Sequence, residues 1–192
     1  MSVTMPTPSQ KTREALANGV RTFMEANDPL RDLVRDAQAV LQVFSLGLKS
    51  IASRAGVAAA KPVGWRVMVG GDSDQAVIAH VHEALGDDAA PRMTALSRGQ
   101  KVGDAIRVAD LLNRLQQAQD QHYEARVLRV PGVQIEAFWL KPASGDGWVV
   151  PFLTLTGGLE VAGVYTMDDF LRTIEPLANK RLAYDESSQA EA

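Results

Sequence analysis

Residues 123–130 read Tyr-Glu-Ala-Arg-Val-Leu-Arg-Val, and Pro131-Gly132 separates them from Val-Gln-Ile-Glu-Ala-Phe-Trp-Leu at 133–140. A turn rich in proline, glycine and serine follows at 141–147, and Trp-Val-Val-Pro-Phe-Leu stands at 148–153. Apolar and polar residues alternate, and β-branched and aromatic residues are frequent, which is typical of strands separated by tight turns. The stretch therefore predicts a short antiparallel meander.

The alternation breaks in the second half of the 133–140 segment. Val133, Ile135, Ala137 and Trp139 would share one face, but Phe138 and Leu140 place apolar side chains on the other face. A strand with apolar residues on both faces needs cover on both. We expect that cover to be either the N-terminal helices folding back or a partner chain.

The N-terminal part of the chain has helical patterning. Ser9 predicts the N-cap of a helix that extends to Ala26, and Asp28-Pro29 predicts the start of a second helix that extends to about Arg54. The second segment carries apolar residues at helical spacing, so it predicts one apolar face. We expect a helical hairpin over residues 9–56 and a linker, rich in alanine and glycine, over residues 57–64.

The remainder of the chain, 65–184, predicts a second body. It contains a strand at 65–69, a helix at 73–85, a strand at 92–96, a helix at 101–118, the meander, a strand at 159–165 and a final helix that begins with a capping box at 166–169. We therefore expect an α+β fold: an N-terminal helical hairpin, then a mixed, largely antiparallel sheet of four to six strands packed with helices. The polar ends, 1–8 and 185–192, predict disordered tails.

Composition excludes several classes of function. The chain has no cysteine, which excludes thiolate catalysis and cysteine-ligated metals. The net charge of −3 offers no broad basic surface, so we expect no nucleic-acid partner. The longest apolar run, 40–48, is too short for a membrane span. The first ten residues are polar and unlike a signal peptide, so we expect a cytoplasmic, soluble protein.

The best candidate for chemistry is the turn Gly70-Gly71-Asp72-Ser73-Asp74. Glycines between a strand and a helix N-terminus can present N–H groups to an anion. The turn is also similar to the nucleophile block of the Gly-Asp-Ser hydrolases, and that resemblance implies Ser73 as the nucleophile. The Gly-x-Asn-Asp and Asp-x-x-His blocks of that family are absent here. The competing interpretation is that Asp72, Ser73 and Asp74 cap a helix.

The three histidines, His80, His82 and His122, show no metal-binding spacing. The segment 73–85 predicts a helix, and on a helix His80 and His82, two residues apart, point in different directions. We expect surface or hydrogen-bonded core histidines, and no metal or cofactor.

Three functional hypotheses follow. The first is a non-catalytic cytoplasmic interaction or binding protein that self-associates as a homodimer through its surplus apolar surface. The residues expected at that interface are Leu41, Phe44, Leu48, Phe138 and Leu140. The second is a small hydrolase or phosphoester-handling enzyme centred on the Gly70–Asp74 turn. A third, peripheral membrane binding through the 30–51 segment, is disfavoured because the polar face mixes aspartate with arginine.

Overall fold

The computed structural model describes residues 3–35, 37, 40–69, 76–83, 90–99, 102–103, 105, 107–109, 122–155 and 157–190. Within these residues four helices have defined bounds: α1 (Gln10–Phe23), α2 (Arg31–Arg35), α3 (Leu48–Ala52) and α4 (Met167–Ala190). The described residues between 102 and 109 are also helical. The strands are β1 (Val3–Thr4), β2 (Val40–Ser45), β3 (Lys61–Val69), β4 (Val77–His82), β5 (Arg92–Arg98), β6 (Tyr123–Val130), β7 (Ile135–Pro142), β8 (Trp148–Thr154) and β9 (Tyr165–Thr166).

All of these strands belong to one sheet. Eight strands form a continuous path in the order β5-β4-β3-β2-β6-β7-β8-β9. Neighbours are antiparallel except β2 and β6, which run parallel, and the short β1 also pairs with β6 in parallel. The α+β class is confirmed. The expected count of four to six strands is wrong, because β1 and β2 from the N-terminal region and β4 also join the sheet.

The predicted helical hairpin is wrong, because residues 40–45 form β2 between β3 and β6. Apolar residues at 40, 41, 43 and 44 suit either a helix or a strand covered on both faces, and a run this short does not decide between them. Here the segment is a strand because it hydrogen-bonds to two neighbouring strands. The expected linker, 57–64, lies on a 3₁₀ turn (Val57–Ala59) and on the first half of β3.

The helix predicted at 73–85 is also wrong over its described residues, because 77–82 form β4. His80 and His82 therefore lie on the same face of a strand. The first strand of the predicted second body is confirmed within β3, and the one at 92–96 is confirmed within β5. The strand predicted at 159–165 is wrong except at its last residue, Tyr165, which belongs to the two-residue β9.

Local signals in the sequence are confirmed at both ends of the chain. The backbone N–H of Thr12 donates to Ser9 Oγ at 3.2 Å, so Ser9 caps α1. The N–H of Asp169 donates to Thr166 Oγ1 at 3.1 Å at the start of α4. The meander is confirmed as β6, β7 and β8. Within the expected tails, Val3–Thr4 form β1 and α4 continues to Ala190, while 5–8 belong to no helix or strand.

Helices cover both faces of the sheet. One face, called here the concave face, carries Leu41, Val43, Val127, Phe138 and Leu140, which pack against the helical residues Val102, Ala105 and Val108. On the opposite face, α1 and α2 cover β3, β4 and β5, while α3 and α4 cover β6, β7 and β8. Among the described residues, no helix has the length and apolar character needed to cross a membrane.

Candidate functional site

The turn that carried the enzymatic hypothesis, Gly70 to Asp74, lies outside the described residues. This includes Ser73, the nucleophile implied by the resemblance, and the ligand-binding candidates Gly70, Gly71, Asp72 and Asp74. The hydrolase alternative therefore stays a prediction.

The structure distributes the five expected interface residues over two faces of the sheet. Leu41, Phe138 and Leu140 are buried on the concave face. Phe44 and Leu48 are half-buried on the opposite face, next to the residues that α3 and α4 cover. The apolar groups of Phe138 and Leu140 thus have their cover within the same chain, and self-association as a homodimer stays a prediction.

A different group of residues meets on the concave face. Arg66 in β3 and Glu136 in β7 form an ion pair, with 2.7 Å between Arg66 Nη1 and Glu136 Oε2. Two strands, β2 and β6, lie between β3 and β7, which places them ~14 Å apart in a flat sheet. The contact shows that the sheet curls towards this face. The curl creates a recess that the order of the strands along the chain does not reveal.

Glu136 pairs with two arginines. Its Oε1 lies 2.8 Å from Arg129 Nε, while its Oε2 accepts the hydrogen bond from Arg66. The side chain of Arg66 is 1% exposed, that of Glu136 is 17% exposed and that of Arg129 is 40% exposed. Exposure therefore rises from Arg66 at the buried floor, through Glu136, to Arg129 at the accessible rim. We call these three side chains the arginine–glutamate network.

His80 in β4 completes the group. Its Nδ1 lies 3.5 Å from Arg66 Nη2. Burial lowers the pKa of His80 to about 4, and the positive charge of Arg66 adds to the shift. The ring is therefore uncharged at neutral pH. A neutral ring with Nδ1 facing a guanidinium donor carries its proton on Nε2.

Glu136 keeps its charge in the same surroundings. Burial on its own would raise the pKa of the Glu136 carboxyl group, but the hydrogen bond from Arg66 and the charges of Arg66 and Arg129 outweigh it. The pKa of Glu136 is therefore lowered. Glu136 is an anion and His80 is neutral, so the network holds two positive charges and one negative charge at neutral pH.

These groups line a cavity of about 530 Å³ on the concave face. Its described apolar walls are Ile78, Val102, Phe152 and Leu153, and the rim at β5 contributes Thr94, Ala95 and Ser97. The guanidinium carbon of Arg66 stands 5.7 Å from the centre of the Phe152 ring, within the range of a cation–π contact. A concave, partly apolar cavity with a few converging charged groups is typical of a small-molecule binding site.

The chemistry of the site favours binding. Among the described side-chain contacts, the His80 ring meets Arg66 and no hydroxyl group. No group of three histidine, aspartate or glutamate side chains within the described part of the chain is arranged to hold a metal ion. Two arginines beside a cavity instead present N–H groups to a ligand.

Sequence reasoning missed this site. Arg66 lies between Trp65 and Val67 in a short segment that predicts a buried strand. A charged residue in such a segment rarely stays buried without a partner, and that was the available signal. Because the sequence predicts a helix over 73–85, it does not place His80 beside Arg66, its partner residue in the pairing of β3 with β4. The pairing of Arg66 with Glu136, 70 positions away, has no sequence signature.

Comparisons with protein-family models, with curated proteins and with solved structures find no match to this chain. Inference about function therefore rests on the cavity and on the charged groups at its floor.

Proposed function

We propose that this chain is a non-catalytic binding protein and that its ligand site is the cavity on the concave face. The observation that carries the proposal is the arginine–glutamate network at the cavity floor, with Arg66 1% exposed. Groups whose pKa values are displaced by burial and by specific charge partners cluster at functional sites. His80 and Glu136 both have such displaced pKa values and both line the cavity.

Stability alone is a poor explanation for the network. Removing two charges from water costs several kcal/mol per ion, and replacing a buried ion pair by apolar residues is often neutral or stabilising, by about 1–4 kcal/mol. The surrounding concave face is already a packed apolar core that includes Val43, Val127 and Phe138. An apolar side chain at position 66 would extend that core. A role in recognition accounts for a buried arginine at a position where an apolar side chain would also pack.

The arrangement supports recognition over catalysis. Nδ1 of His80 faces Arg66, and both oxygens of Glu136 face arginines. A general base needs a free lone pair within reach of the proton that it removes. Here the basic atoms are engaged in holding Arg66 and Arg129, which are the groups that can contact a ligand.

Nuclear magnetic resonance tests the proposal directly. Aliphatic and aromatic fragments that carry negative, neutral or positive groups are added to the ¹⁵N-labelled protein, and amide shifts are mapped. We expect shifts that concentrate on β3, β4 and β7 around Arg66, His80 and Glu136. Ala95→Trp should abolish them, because Ala95 lines the cavity and an indole there fills it.

The matched control is Arg92→Trp, since Arg92 is exposed on the same strand, β5, and is not among the residues that line the cavity. It should leave the shifts intact. Fragments that bind equally well to Ala95→Trp, or a library with no effect on these strands, would contradict a binding function at this cavity.

A further inference from the structure

The charges around the cavity point to the class of ligand. Resting on the binding function proposed above, we infer that the cavity binds a small anion: a molecule with one carboxylate or phosphate group attached to an apolar body. Three observations carry this inference: the balance of charge in the network, a buried donor without a partner, and the apolar walls.

The balance of charge is positive. Arg66 and Arg129 share the single carboxylate of Glu136, and the neutral His80 adds no charge. Arg98, which also lines the cavity, is paired with Asp28. The described lining of the cavity therefore has one positive charge in excess after its ion pairs are counted. In a recess with apolar walls such a charge attracts an anion more strongly than it would at an open surface.

The buried donor is Nε of Arg66. This nitrogen has no hydrogen-bond partner among the described residues, although the side chain is 1% exposed and lines the cavity. A buried N–H without an acceptor carries a desolvation cost, which a ligand oxygen would offset. Nε of Arg129, nearer the rim, also makes no aligned hydrogen bond, although it lies 2.8 Å from Glu136 Oε1 in their ion pair.

The shape of the cavity limits the rest of the ligand. A volume of about 530 Å³ accepts a small organic molecule and is too small for a folded partner. Ile78, Phe152 and Leu153 offer apolar surface beside the guanidinium groups. A carboxylate or phosphate on a ring or short alkyl chain would place its oxygens at the arginines and its carbon atoms against these walls. Guanidinium groups match both anions in geometry.

Titration calorimetry with three matched probes tests the inference: benzoate, phenyl phosphate and benzyl alcohol. We expect at least one of the two anions to bind at least about tenfold more tightly than the alcohol, because charge-assisted hydrogen bonds are the stronger ones. The more tightly bound anion tells whether the cavity prefers a carboxylate or a phosphate.

The variant is Arg129→Gln, chosen because Arg129 is 40% exposed and its loss is less disruptive to folding than the loss of the buried Arg66. It should weaken binding of the anion by about tenfold or more, as the loss of one charge-assisted hydrogen bond implies. The control is Arg172→Gln, which removes the same charge from the 76% exposed side chain of Arg172 in α4 and should leave the affinity unchanged.

The outcomes separate this inference from the proposed function. Benzyl alcohol that binds as tightly as the anions overturns the inference and leaves the binding function intact. Anion binding that is equal in Arg129→Gln and in the wild type also overturns it. If none of the three probes binds, the inference is again overturned, and the fragment mapping described above then decides whether the cavity binds any other class of molecule.

Discussion

Arg66 is the only charged side chain among the described residues that is fully buried, and its neighbours explain how the fold tolerates it. Glu136 supplies the opposite charge, His80 supplies a neutral ring nitrogen, and Phe152 supplies an aromatic face. Each of these contacts is made by a different strand. The charge of Arg66 is thus stabilised by groups that only the curled sheet assembles.

The lowered pKa of His80 predicts that the stability of the protein depends on pH. In the unfolded chain a histidine takes up a proton near pH 6.5, whereas the pKa of His80 in the folded protein is about 4. The unfolded chain therefore binds more protons between these values, and the free energy of unfolding falls as the pH drops. Protonation of His80 in the unfolded chain should lower the free energy of unfolding by about 2 kcal/mol between pH 7 and pH 5. Urea unfolding at both pH values measures the change.

Two variants isolate the effect of His80. His80→Gln should remove most of the pH dependence, because glutamine does not titrate in this range. His82→Gln should retain it, since His82 is an exposed residue two positions along the same strand. An equal loss of pH dependence in both variants would show that the dependence does not arise from burial at position 80.

At the level of elements, α1 is attached to the sheet by polar and apolar contacts. Thr12 Oγ1 donates to Glu83 Oε1 at 2.7 Å, and Trp65 Nε1 donates to the same oxygen at 2.6 Å. Glycine at position 19 weakens a helix by its flexibility. Its presence is explained by the close packing of α1 against β5. A Cβ atom there would overlap the side chain of Met93 in β5. Gly19 lets the helix approach the strand closely.

Gly19→Ala therefore has two opposite effects on stability. Alanine favours the helix by about 1 kcal/mol, but forcing an extra methyl group into a packed contact costs typically 1–3 kcal/mol. We expect a net loss of about 1 kcal/mol, measured by thermal or urea unfolding. The control is Asn18→Ala, at the neighbouring exposed position of α1, which should be neutral or slightly stabilising. A Gly19→Ala protein more stable than the wild type would refute the close contact with Met93.

At the level of the whole molecule, a curled sheet with helices on both faces buries the apolar residues that the alternation pattern left without cover. Phe138 is 2% exposed and packs beside Val43, Val127 and Val150. Its ring centre is 4.8 Å from that of Phe152. The cover of the concave face is thus intramolecular. A homodimer that uses Leu41, Phe44, Leu48, Phe138 and Leu140 stays a prediction.

The variant Phe138→Asp tests whether Phe138 lies in the core of a single chain or at an interface between two chains. Because the substitution buries an unpaired carboxylate in the core, it should unfold the chain and replace the circular dichroism spectrum of the folded protein by that of a disordered chain. A folded monomer from this variant would instead place Phe138 at an interface. Light scattering on the wild type at high micromolar concentration tests the homodimer separately, and a monomer mass would end that prediction.

The local sequence predicts the structures that depend on neighbouring residues. Ser9 and Thr166 cap helices through contacts three positions away. Pro131-Gly132 and the turn at 141–147 define β6, β7 and β8, because turn chemistry and alternation act over a few residues. These local signals are sufficient to predict the α+β class and the meander.

Tertiary structure decided the identity of β2 and β4 and the site itself. Val40–Ser45 and Val77–His82 are short segments whose patterns are compatible with a helix or a strand, and their pairing partners in the sheet select the strand. Arg66 and Glu136 stand 70 positions apart and on strands that are not neighbours. They meet because the sheet curls, and curling depends on the packing of the entire sheet, which no local pattern encodes.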